Sequence, residues 1–264
     1  MDWWHAASLA IIQGLTEFLP ISSSGHLVLI PHLLGWPDQG LQFDVAVHVG
    51  SMVAIIVYFR RDFLDLLRAA RRRNPDTDAA GLHLGALLVV ATIPAGLAAL
   101  LFGQIVESTL RNPTSVAVSL IVFGLLLWWA DAKSRRTRDY HSLDWRGALL
   151  IGCAQAIALF PGTSRSGITI TAGLMLGLTR EAAAQFAFLM AVPVIFLAGA
   201  WEIAHLFRDT AQPDWGAIVV GFAVSAVTAY LCIHWFLKFL RRYSLCPFVI
   251  YRLVLGVALL AFLR

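Results

Sequence analysis

The chain has 264 residues, of which 59% are hydrophobic and only 14% charged, with a mean hydropathy of +0.74. A water-soluble domain carries about 25% charged residues, so a soluble enzyme is excluded. The ten-residue alternation of a transmembrane β-barrel is absent as well. The net charge of +4 does not point to nucleic acid, because the basic residues cluster between apolar stretches, where they orient a chain in a membrane. Cys153, Cys232 and Cys246 lack C-x-x-C spacing and sit in or beside apolar stretches, which suggests neither a disulfide framework nor zinc.

In chain order, residues 1–35 come first. They begin MDWWHAAS, with no basic residue before Arg60, so a signal peptide is not expected. This region reads as two helical pieces, each too short to cross a bilayer, joined by a break in "EFLPISSSGHL" (17–27). Six stretches near the ~20 residues that span a membrane follow, at 43–59, 82–103, 114–130, 185–206, 215–237 and 248–263. Residues 146–180, between the third and fourth, form a second broken region. The expected fold is an all-α integral membrane protein, one domain over 1–264, of about ten helical segments: six full spans plus two re-entrant helical hairpins.

Segments 60–73, 133–146 and 238–242 are rich in Lys and Arg, whereas 31–40 has none, 104–112 has Arg111 and 207–214 has Arg208. The positive-inside rule makes the first group cytoplasmic. Both termini then face outside, the first hairpin enters from the outside, and the second from the inside. The hairpins also resemble each other. Gln13 and Gln155, Phe18 and Phe160, and "SSSG" (22–25) and "SRSG" (164–167) are each 142 residues apart. An inverted-topology repeat is therefore expected, with halves about 1–130 and 146–264. Non-helical backbone at membrane depth must be buried in protein or line a wet cavity, which makes the two breaks the place to look for chemistry.

Ionisable residues within the membrane default to a functional reading. The first break carries Glu17 and His26, the second Arg165. Around Arg165, "PGTSRSGIT" (161–169) offers backbone N–H groups at a helix start near Gly167 and a guanidinium fork, both suited to phosphate. Glu17 suits a general base or a ligand for Mg²⁺ or Ca²⁺. Each residue also has a plainer reading. Ser22, Ser23 and Ser24 satisfy freed backbone groups, His26 is an interfacial hydrogen-bonder, and Arg165 pairs structurally with Glu17. Gln13 is a helix-packing hydrogen-bonder, His48 a packing or hydrogen-bonding residue, and Asp44 an interfacial carboxylate. The repetition of the two breaks favours the functional reading of the set.

The motifs "QGLTEFLPISSSGHL" (13–27) and "PGTSRSGIT" (161–169) resemble the two signatures of the undecaprenyl pyrophosphate phosphatase family. The resemblance extends over the chain, including "FDVAVHVGSMVAIIVYFRRD" (43–62), "IPAG" (93–96) and "FAFLMAVPV" (186–194). It implies an enzyme of the bacterial inner membrane that hydrolyses undecaprenyl pyrophosphate to undecaprenyl phosphate, the recycled lipid carrier of peptidoglycan synthesis. It also implies a link to bacitracin, which binds that substrate. The family's Glu/Gln-x-x-x-Glu motif falls on Gln13 and Glu17, leaving one carboxylate for a metal. The family's nucleophile falls on Ser23, its histidine on His26, and its phosphate-binding arginine on Arg165, flanked by Ser164 and Ser166. Ser24 stands where a variant of the motif has Thr.

The expected mechanism is metal-assisted phosphoryl transfer. Ser23 attacks or orients a water, His26 moves the proton, and Mg²⁺ or Ca²⁺ is held by Glu17, with Gln13 as a further ligand. Arg165, Ser164, Ser166, Gly167, Ser24 and Thr169 bind the phosphate. The site is expected to open to the periplasmic face of a multi-pass protein, and a homodimer is left open. The rival class is a transporter, a lipid-phosphate flippase or anion carrier on the same repeat, which needs the anion clamp but no nucleophile. A structural scaffold leaves the charges in the breaks without purpose.

Overall fold

The structure, a computed structural model, describes residues 2–36, 39–72, 75–110, 112–206 and 214–262. Arg73, Arg111 and Arg208, and the side chains of Ser24 and Arg72, lie outside the described residues. Eleven α-helices are found among the described residues: α1 Trp3–Thr16, α2 Ser23–Leu34, α3 Leu41–Tyr58, α4 Arg60–Arg72, α5 Pro75–Leu110, α6 Pro113–Lys133, α7 Trp145–Ile157, α8 Arg165–Met175, α9 Arg180–Leu206, α10 Trp215–Leu240 and α11 Cys246–Phe262. Five contain windows long and apolar enough to span a bilayer, in α3, α5, α6, α9 and α10; α11 is apolar but shorter, at 17 residues. The protein is an all-α integral membrane protein.

Local chemistry sets several helix starts. Asn112, Asp144 and Asp214 cap α6, α7 and α10 by accepting from the N–H groups of Ser115, Gly147 and Ala217 at 2.9, 2.9 and 3.1 Å. Pro113 occupies the first turn of α6, where a missing N–H is harmless. The segments around the two breaks are helical as read from sequence, with α1 and α2 flanking the first break and α7 and α8 the second. Ser22 and Ser164 immediately precede α2 and α8, and both have positive φ, +74° and +69°. They are 142 positions apart, the offset seen in the sequence.

One expectation requires correction. The basic stretch 60–73 reads from sequence as a connection between helices, yet residues 60–72 form a helix of their own, α4. Arg60, Arg61, Arg68 and Arg71 point outward, while Ala69 is buried. A short amphipathic helix with a basic face suits the plane of a membrane surface. Asp62 of α4 accepts from the Tyr140 hydroxyl at 3.0 Å. Burial, and then the Asp62 charge, push the Tyr140 phenol above its ordinary value.

The helices are interleaved across the chain. α10 packs on α1 and α3, α5 packs on α7 and α9, and α6 packs on α8 and α11. Two glycines permit the closest approaches. A Cβ on Gly50 would overlap the Phe222 carbonyl of α10, and one on Gly152 would overlap the Ala91 carbonyl of α5. Small residues at helix interfaces are the usual means of packing where lipid removes the hydrophobic drive between helices. Between α3 and α10, the Ser51 and Ser225 hydroxyls lie 2.9 Å apart, and each also lies within reach of the Val47 carbonyl, at 3.0 and 2.7 Å. Asp131 ties α6 to α9 through a two-pronged pair with Arg180, at 2.5 and 3.1 Å, and also accepts from the N–H of Leu245. Large apolar side chains such as Trp128, Phe196, Val219 and Leu231 face outward, as a lipid solvent allows.

Candidate active site

The two breaks meet at one carboxylate. Glu17 follows the last residue of α1 and is 6% exposed. Its Oε2 accepts from Gln13 Nε2, one turn earlier, at 2.9 Å, and from Ser23 Oγ, the first residue of α2, at 2.6 Å. Its Oε1 accepts from Nη2 of Arg165, the first residue of α8, in an ion pair. From α3, Nε2 of His48 lies 3.8 Å from Oε2, while its Nδ1 donates to the Asp44 carbonyl at 2.7 Å. Helices α1, α2, α3 and α8 thus converge on a single buried negative charge. Several donors compensate it, as a charge in a low-dielectric interior requires.

The second break is held by its own side chains. Ser164 Oγ accepts from Gly167 N at 3.1 Å and lies 3.3 Å from Ser166 Oγ. Ser166 donates across to the Leu19 carbonyl of the first break at 3.1 Å. Thr169 turns its hydroxyl onto its own helix, to the Arg165 and Ser166 carbonyls at 2.8 and 3.2 Å. Of the residues expected to bind phosphate, Arg165 and the first turn of α8 therefore present donors most directly. The hydroxyls of Ser164, Ser166 and Thr169 are already engaged, and the Ser24 side chain is outside the described residues. Arg165 also donates Nη1 to the Ala191 carbonyl at 3.5 Å. Those two bonds leave three of its five N–H groups for a ligand.

His26 is placed differently from the expectation that it serves Ser23. Its Nδ1 is 2.7 Å from the Ser22 carbonyl, and its Nε2 is 2.5 Å from the Tyr251 hydroxyl. The proton acceptor bonded to Ser23 is Glu17, not His26.

Three residues escape the functional reading of the sequence: His48, which reads as a packing or hydrogen-bonding residue, Tyr251 and Arg252. Arg252 is the most telling. It is 0% exposed and donates to five carbonyls: Leu120 at 3.2 Å, Ser119 at 3.3 Å, Pro20 at 3.3 Å, Gly162 at 3.2 Å and Thr163 at 3.0 Å. The last three belong to the two breaks. The stretch 248–263 reads from sequence as a full span. The rule that flagged Arg165, an ionisable residue inside an apolar span, would have flagged Arg252 too.

For a divalent cation the oxygen set is small. Among the described residues no three His, Cys, Asp or Glu side chains gather as a cage. Gln13 Oε1 is, however, a buried acceptor without a hydrogen-bond partner, one turn from the Glu17 carboxylate. An amide oxygen and a carboxylate suit a hard cation whose remaining ligands come from a phosphate substrate and water. The residues fit Mg²⁺ or Ca²⁺ on those terms.

A bundle of apolar helices holding a serine, a carboxylate and an arginine at the meeting of two broken helices defines an integral membrane protein with an anion-suited polar site. The family model described as "Bacitracin resistance protein BacA" matches residues 6–258. The chain is 52% identical to Undecaprenyl-diphosphatase 2 of Stutzerimonas stutzeri (strain A1501), with 98% of each chain covered. It is 52% identical to an undecaprenyl-diphosphatase of Nitrosococcus oceani over 98% of each. It is 51% identical to one of Alcanivorax borkumensis over the full length of both. The chain belongs to the BacA family of bacitracin resistance proteins.

Proposed function

We infer that the chain is an undecaprenyl-diphosphatase: a membrane enzyme that hydrolyses undecaprenyl pyrophosphate to undecaprenyl phosphate and inorganic phosphate, returning the lipid carrier to cell-wall synthesis. Relatives of that name at about 50% identity over full length support it. The observation in the structure that carries the chemistry is the 2.6 Å bond from Ser23 Oγ to a carboxylate that Arg165 of the other break also holds. A carrier needs an anion clamp but has no use for a hydroxyl set on a base, so this pair favours the enzyme over the flippase.

In this mechanism Arg165 exchanges part of its hold on Glu17 for the terminal phosphoryl oxygens, joined by first-turn N–H groups of α8. With that hold loosened, Glu17 accepts the Ser23 proton as Oγ attacks the terminal phosphorus. Serine is a weak nucleophile without such a base. The Oγ–P bond forms, the bridging P–O bond breaks, and undecaprenyl phosphate leaves. Water then attacks the phosphoserine and gives a proton to a base, for which His26 is placed beside the first break; the Oγ–P bond breaks, inorganic phosphate leaves, and Oγ takes back the proton held by Glu17. Glu17 and Gln13 would hold a divalent cation, which would supply charge neutralisation for the phosphoryl oxygens. The purified protein is expected to release phosphate from a polyprenyl pyrophosphate and to lose that activity in EDTA, recovering it with Mg²⁺ or Ca²⁺. Release undiminished in EDTA removes the metal from the reading, and no release at all removes the enzyme.

The finer localisation follows the distribution of charge: an inner-membrane protein with its first hairpin, its termini and its site opening to the periplasm, and an inverted repeat relating its halves. The shared 142-residue offset of Ser22 and Ser164, both at positive φ, supports the repeat. A cysteine at position 2 is expected to label from outside the cell and one at position 139 only after the cytoplasmic side is opened. Labelling of both from one side overturns the arrangement. The homodimer belongs to the same reading, and light scattering in detergent tests it.

A further inference from the structure

A neutral imidazole has one donor nitrogen and one acceptor. The Ser22 carbonyl can only accept, so Nδ1 of His26 is the donor at 2.7 Å, and Nε2 carries the lone pair. That lone pair is met at 2.5 Å by the hydroxyl of Tyr251, 225 residues further along the chain. The two rings stack, with centroids 5.7 Å apart and planes at 15°. His26 is buried, whereas Tyr251 is 42% exposed, so the phenol covers the histidine from the outer side of α11.

The neighbouring residue explains why α11 can hold a ring in place. Arg252 anchors that turn of the helix to the carbonyls of both breaks. Tyr251 therefore projects from a support fixed relative to the groups it serves. The backbone of the first break sets one end of the imidazole, and the distant helix sets the other. Bases in active sites are commonly oriented by such a third group.

We propose that Tyr251 is a positioning residue for the phosphatase reaction: its hydroxyl, donating to Nε2, fixes the tautomer and plane of His26, and the half-exposed phenol yields that lone pair when Nε2 takes up the proton of the attacking water. The proposal rests on the phosphatase reading. Tyr251 lies outside the motifs at 13–27 and 161–169.

The test uses the full chain and a polyprenyl pyrophosphate. Tyr251→Phe keeps the ring and removes the hydroxyl. It is expected to lower kcat by roughly 10–100-fold, the usual effect of removing a partner that orients a functional histidine, with KM within about two-fold of the parent. In a His26→Gln background the same substitution is expected to add less than about two-fold, because residues acting through one another are not additive. Nitrogen NMR of histidine-labelled protein in bilayers reads the bond without turnover: the Nε2 line of His26 moves in Tyr251→Phe while its Nδ1 line stays. An unmoved Nε2 line overturns the proposal, as does full turnover in Tyr251→Phe or an equal loss in both backgrounds. Absence of phosphate release from the parent protein would sink the phosphatase reading instead, and the NMR arm would still decide whether Tyr251 holds His26.

Discussion

Arg165→Lys is expected to reduce turnover of a polyprenyl pyrophosphate by about 10²–10³-fold, equivalent to ~3–4 kcal/mol of transition-state stabilisation, in a protein that still folds. The expectation comes from the fork. Arg165 uses one N–H for Glu17 and one for Ala191 O, leaving the rest of a planar guanidinium for phosphoryl oxygens. Lys preserves the charge beside Glu17 and so preserves the ion pair. It offers a single point charge and cannot hold the carboxylate and two phosphoryl oxygens together. The check is kcat alongside elution behaviour in detergent. Near-normal kcat would show that charge alone suffices and would end the bidentate account. An aggregated protein would show that the pair with Glu17 is structural first.

Arg252→Met carries the largest expected effect on stability. The side chain is similar in length and apolar, so it fills the space while removing every donor. The carbonyls of Pro20, Gly162 and Thr163 sit in the breaks, outside the helical ladder, and Arg252 is the donor given to each. A buried carbonyl left without a donor costs about 1–3 kcal/mol. Three together approach the ~5–15 kcal/mol that is the whole stability of a typical domain. The variant is expected to melt upward of about 10 °C lower in detergent, with both breaks disturbed at once and activity lost. Arg252→Lys, with at most three donors, is expected to fall between. A melting temperature unchanged in Arg252→Met would mean that water replaces the guanidinium.

The sequence made much of this legible, for physical reasons that differ by feature. The spans were readable because lipid admits only long apolar helices. The breaks were readable because Pro20, Gly162 and the serines are poor helix formers placed where apolar residues are expected. Glu17 and Arg165 stood out as charges in apolar surroundings. What was lost lay in two places. The helix α4 hid behind its arginines, because a surface helix is polar enough to read as a connection. Tyr251 and Arg252 hid because they are far from both motifs, and only the packing of α11 on α6 brings them to the breaks. The pairing of Ser23 with Glu17 rather than His26 was equally beyond reach. Residues 23 and 26 share a helix face by spacing, but the turn at Ser22, with its φ of +74°, decides which neighbour the hydroxyl meets.

The interleaving of the helices also sets an order in time. The faces of α1 and α3 that α10 covers are complete in the nascent chain by Tyr58, yet α10 ends at Leu240, about 180 residues later. At about 5–20 residues per second that is an interval of about 10–40 s. Through it the faces of α1 and α3, with the backbone at Gly50, lack the helix that covers them. The nascent protein must cross this interval shielded by lipid or by the insertion machinery. The carboxylate that ends as the hub of the site is, for the first part of that time, a charge waiting for Arg165, which is made about 110 residues after Tyr58.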